Sequence, residues 1–149
     1  MNLYSKRSWP VLILLLVLPT ACGGDSDDGG GAANKADWDK KHGATVNAVS
    51  LDVDQANGGL DRGDRPVILS SCIQLQEDLT DARKAVPVPD PAVDSALRAA
   101  LDSVGTAVTT CIEGGRVASD ASIVEKAQRE MKDARAKLDT AQAAIRAWQ

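Results

Sequence analysis

From Val124 to Trp148 the apolar residues fall at alternating steps of three and four: Val124, Ala127, Met131, Ala134, Leu138, Ala141, Ile145 and Trp148. That period is helical, and it persists for about seven turns. A helix with one apolar stripe must bury it against other elements, so the remaining chain has to supply matching faces. The opposite side carries Lys126 with Glu130 and Asp133 with Lys137. Such pairs contribute only a few tenths of a kcal/mol each and mark a solvated face rather than a binding site. Ser122 and Glu125 have the spacing of a capping box and are expected to open this helix.

Three more segments share the period. Trp38, His42, Val46, Val49, Val53 and Ala56 form the first stripe, with Gly58-Gly59 expected to stop it. A second helix is expected to open at Asp64, an N-cap residue followed by Pro66. Its stripe is Ile68, Cys72, Leu75, Leu79, Ala82 and Val86, ended by Pro87 and Pro89. A third begins at Asp90 with Pro91 in its first turn, and its stripe runs Val93, Leu97, Ala100, Val104, Ala107 and Cys111 as far as Gly114-Gly115. Four amphipathic helices with short connections predict an all-α, antiparallel up-down-up-down four-helix bundle over residues 38–149. Small residues crowd the stripes, so the core is expected to be narrow.

The chain begins differently. Lys6 and Arg7 precede an apolar run from Trp9 to Leu18, interrupted only by Pro10 and followed by Pro19, Thr20, Ala21 and Cys22. A spanning helix needs about 20 apolar residues, so this run is too short to cross a bilayer permanently. It fits a secretory signal peptide over residues 1–21. The Ala21-Cys22 junction after an apolar run resembles the lipobox of bacterial lipoproteins, with Pro19 three positions before the cysteine and Leu18 one step earlier. The resemblance covers the first twenty-two residues. It implies cleavage before Cys22, a diacylglycerol thioether on that cysteine, and residence at the extracytoplasmic face of the cell membrane. Two or more acyl chains hold far more firmly than one, since each buried methylene adds about 0.8 kcal/mol.

Residues 22–37 follow as a Gly- and Asp-rich stretch, expected to form a flexible tether because it has too little apolar surface to offset the entropy of ordering. Asp25, Asp27 and Asp28 lack the spacing and closing Glu of a calcium loop.

With Cys22 assigned to lipid, Cys72 and Cys111 remain. An even pair in an exported chain points to a disulfide, and both lie on apolar stripes of consecutive helices. The alternatives are two buried free thiols, or a zinc site short of ligands in a chain with one histidine. A redox role has no Cys-x-x-Cys spacing behind it.

No catalytic, cofactor or metal constellation is assembled. His42 is the sole candidate base, no Gly-x-Ser-x-Gly elbow accompanies it, and packing on Trp38 one turn away is its expected role. His42 and Met131 would lie about 19 Å apart along the bundle axis, too far to share a haem iron. Arg62-Gly63-Asp64 spells an adhesion tripeptide, but Asp64 is accounted for as a cap. The formal charge of −4 and the lack of a basic stripe count against nucleic acid. The absence of Phe counts against aromatic-lined ligand pockets.

Trp38 starts the first helix and Trp148 ends the last, so a bundle would bring them to one end, where they are expected to pack together. The sequence therefore predicts a lipid-anchored envelope protein with a non-catalytic binding or scaffolding role, partnered by the membrane and by an unspecified envelope protein. The alternative is a carrier or sensor that admits a small apolar ligand between its helices.

Overall fold

The computed structural model describes residues 30–117 and 120–149. Those residues are all-helical and contain four long helical rods and no strand. The first rod is continuous: α1 (Gly30–Trp38) passes through a π-helical turn (Asp39–Gly43) into α2 (Ala44–Arg62). Then come α3 (Arg65–Ala82), a 3₁₀ turn (Arg83–Ala85), α4 (Pro91–Arg116) and α5 (Ala121–Ala147).

Helix starts follow local chemistry. Asp64 accepts a hydrogen bond from the Val67 amide at 3.3 Å, and Pro66 occupies the first turn of α3. Asp90 accepts from the Ala92 and Val93 amides at 2.8 and 2.9 Å, with Pro91 in the first position of α4. The α5 cap corrects the capping-box expectation. Asp120, not Ser122, is the N-cap, and its carboxylate takes both the Ser122 amide at 3.0 Å and the Ser122 hydroxyl at 2.6 Å. A carboxylate two residues upstream outcompetes the serine, and Glu125 instead faces Arg129 one turn on, at 3.9 Å.

The glycine pairs do not stop their helices. Gly58 and Gly59 lie inside α2, and Gly114 and Gly115 lie inside α4. The residue that ends α2 is Gly63, at φ 66°, where a side chain would be strained. Its amide bonds to the Leu60 carbonyl at 3.2 Å while the Asp64 amide bonds to the Gly59 carbonyl at 3.1 Å, a Schellman closure. Gly59 has a different task. A Cβ there would stand 3.2 Å from Val67 and 3.3 Å from the Ile68 amide, so its bareness lets α3 fold back tightly on α2.

Helix also begins earlier than expected. Residues 30–37 belong to α1, which corrects the tether expectation for that part; residues 22–29 lie outside the described residues.

The rods pack as neighbours: α2 with α3, α3 with α4, α4 with α5, and α5 with α2. The stripes meet in one core, in which Val53, Leu75, Leu97, Val104, Met131 and Leu138 are fully buried. Cys72 of α3 and Cys111 of α4, also fully buried, are joined as a disulfide across a Cα separation of 6.2 Å.

Candidate functional site

The end of the molecule where α1 meets α5 gathers the most distinctive side chains. Trp38 and Trp148 are both buried, with ring centroids 6.0 Å apart in an edge-on arrangement. That geometry sets the positive ring edge against the negative face and adds about 0.5–1.5 kcal/mol beyond area burial. The Trp38 indole Nε1 donates to the Ala85 carbonyl at 2.9 Å, which fastens the first rod to the connection after α3. The His42 ring also packs on Trp38, with centroids 5.9 Å apart and planes tilted by 46°. It is half-buried packing, as its spacing predicts, and no nucleophile faces it among the described contacts.

Beside this cluster lies a groove of about 270 Å³, lined by Lys35, Asn47, Gln142, Ile145 and Arg146 along with Trp38. A larger depression of about 540 Å³ follows the α4–α5 junction past Asp102, Ser103, Thr106, Glu130, Asp133 and Lys137. Several of its polar groups pair with one another, while Glu130 Oε2 is buried without a hydrogen-bond partner. Ser103 donates to Asp133 at 3.0 Å, and Lys137 reaches Asp133 at 2.8 Å and Ser103 at 3.4 Å. The hydrogen bond from Lys137, then that from Ser103, holds the Asp133 carboxyl below the usual carboxylate range. This is the solvated face read from the Asp133–Lys137 spacing, and Lys126 faces Glu130 at 3.7 Å on the same side.

Thr80, Thr106, Thr109 and Thr140 each donate to the carbonyl one turn back. Among the described residues no three His, Cys, Asp or Glu side chains converge as a metal site, and no helix is long and apolar enough to cross a membrane. Met131 is sealed in the core. Asp64 caps α3, as expected, within the exposed Arg62-Gly63-Asp64 turn. Cys22 and the three aspartates of the Gly-rich stretch lie outside the described residues.

One feature was not anticipated from the stripes. Asp52 is only 9% exposed, and its Oδ2 is buried with no hydrogen-bond donor. It meets Asp78 across the α2–α3 junction; burial, then the hydrogen bond and charge of Asp78, push the Asp52 carboxyl up to about 6. The signal lies in the sequence. Asp52 stands three residues after Val49 and four before Ala56, and Asp78 three after Leu75 and four before Ala82, which puts both on apolar stripes.

The α2–α5 junction is polar in another way. Arg135 donates to the Ser50 carbonyl at 3.3 Å and pairs with Asp54 at 3.3 Å and Asp139 at 3.2 Å. Gln142 donates to the Ser50 hydroxyl at 2.8 Å, and Gln128 to the Leu60 carbonyl at 2.9 Å.

Comparison of the chain with protein-family models, with curated proteins and with solved structures finds no match in any of the three.

Proposed function

We propose that this chain is an extracytoplasmic lipoprotein, anchored through acyl chains on Cys22, whose helices form an antiparallel up-down-up-down bundle with a non-catalytic binding or scaffolding role in the cell envelope. The observation that carries the reading is the Cys72–Cys111 disulfide. Such bonds persist in oxidising compartments, in keeping with an export signal, and the pair accounts for every cysteine but the one at the lipobox-like junction.

The bundle topology is supported by the succession of neighbours, in which each rod packs on the one before it and α5 returns to α2. It is supported too by the meeting of Trp38, near the start of the first rod, with Trp148 at the end of the last. In that arrangement the tryptophan-bearing end lies toward the anchor, and the Gly63 turn points away from the bilayer. A scaffolding role fits polar outer faces whose charges pair with one another and an interior filled by Leu, Val, Ala and Met side chains.

Mass spectrometry of the N-terminal peptide from the protein expressed in bacteria tests the anchor. A diacylglyceryl cysteine at position 22 that disappears in Cys22→Ser, together with release of that variant from membranes, is the expected result. An unmodified Cys22, or cleavage elsewhere, would overturn the placement and the role built on it.

A further inference from the structure

The described residues leave three large apolar side chains exposed: Leu51, Ile73 and Val117. Single apolar residues on a surface are ordinary and need no partner. Leu51 is of that kind, but Ile73 and Val117 fall on one side, where α3 and α4 meet. A groove of about 390 Å³ runs there past Gln76, Thr109, Ile112, Glu113, Arg116 and Val117. Ile73 stands one turn before Gln76 on α3, and the Cys72–Cys111 bond beside it sets it near the level of Ile112. Arg65 donates to the carbonyls of Gly115 and Arg116 at 3.2 and 3.3 Å, which fastens the end of α4 to α3.

Two charges flank these apolar residues, and neither is engaged. The ion pairs among the described residues include neither Glu113 nor Arg116, although both side chains are exposed. One acid with one base gives no preference for an acidic or a basic partner. They are matched to each other instead. Glu113 and Arg116 stand symmetrically about the midpoint between Gly114 and Gly115, and so do Ile112 and Val117. A two-fold axis through that point serves both pairs at once.

We propose that the end of α4 is a docking surface for a second copy of this chain: across a two-fold axis, Glu113 of each copy pairs with Arg116 of the other, and Ile112 packs on Val117 of the other. The ends of the two α4 helices cross antiparallel, and every contact is made twice. Burial of the apolar residues supplies the attraction, and the two ion pairs fix the register. The surface is built from α3 and α4 alone, so it stands or falls separately from the anchor on Cys22.

Sedimentation velocity of the full chain in non-ionic detergent, over a series of protein concentrations, tests this surface. The native chain is expected to pass from one copy to two as concentration rises. Glu113→Arg and Arg116→Glu each turn two attractions into two repulsions, and either alone should weaken association at least about tenfold. Mixing the two variants in equal amounts rebuilds both ion pairs between unlike chains, so the mixture should associate as the native chain does. Such recovery also shows that each variant is folded. A native chain that stays single at every concentration, variants that associate as well as the native chain, or a mixture no better than its components would overturn the proposal.

Discussion

The indole of Trp38 bridges two parts of the chain that are remote in sequence: its ring packs against Trp148 and its Nε1 donates to the backbone of Ala85. One side chain thus ties the first rod to the last helix and to the connection in the middle. Trp38→Leu, made with Trp9→Phe so that Trp148 is the only fluorophore of its kind, is expected to shift Trp148 emission to the red. It should also cost about 2–4 kcal/mol in denaturant unfolding, because a large buried ring is truncated and the Ala85 carbonyl loses its donor. Unchanged emission would show that Trp148 does not depend on Trp38 for its burial.

Paired replacement of Cys72 and Cys111 by Ser is expected to lower unfolding free energy by about 2–4 kcal/mol. The bond closes a loop of 39 residues in sequence separation, and the new hydroxyls would stand at fully buried positions. Urea unfolding of the variant beside the native chain, with and without reductant, checks this. Reductant should weaken only the native chain.

Two glycines are expected to respond with opposite signs. Gly63→Ala forces a side chain into the left-handed region at φ 66° and should destabilise by about 1 kcal/mol. Gly105→Ala, in the interior of α4, should stabilise by up to about 1 kcal/mol through helix propensity. Its new methyl would meet the far end of Arg83 at 2.8 Å, but that side chain is exposed and holds only a 3.8 Å contact with Asp102, so it can move aside. Thermal melts of the two variants decide the signs.

Stability should peak on the acid side of neutrality. Asp52 has a raised folded pKa, so its contribution is complete below the unfolded value near 4 and is lost as pH rises through about 6. Asp94, Asp120 and Asp133 shift the other way. The Arg98 hydrogen bond, then the Val88 amide, holds Asp94 down; the Ser122 hydroxyl and amide hold Asp120 down; Lys137 and Ser103 hold Asp133 down. Their contributions are present above the ordinary carboxylate range and are lost as pH falls below it. Urea midpoints between about pH 3 and 8 should therefore pass through a maximum near pH 5, and Asp52→Asn should flatten the limb from 5 to 8. A native profile that keeps rising to pH 8 would contradict the raised Asp52.

Much of the helical pattern was legible because it depends on short-range periodicity and side-chain chemistry. Every residue of the third stripe, Val93 through Cys111, is buried, and Asp64 and Asp90 cap the helices assigned to them. Where the reading failed, the deciding contact was of another kind. Gly59 looks like a stop in sequence, yet it is a point of close approach between α2 and α3, which only the packed molecule defines. Ser122 does not cap because Asp120 takes both its amide and its hydroxyl, a contact that a spacing rule cannot rank. Asp52 and Asp78 were on the stripes all along, but that two acids face one another across a junction depends on the register between helices.

The bond between Cys72 and Cys111 straddles the Pro-bearing connection from residue 83 to residue 90. A protease that nicked that connection would yield two pieces still tethered through sulfur, migrating as one band until thiol is added. Each piece would keep two of the four long rods, so the nicked molecule offers a way to separate the halves on demand and ask whether they reassemble.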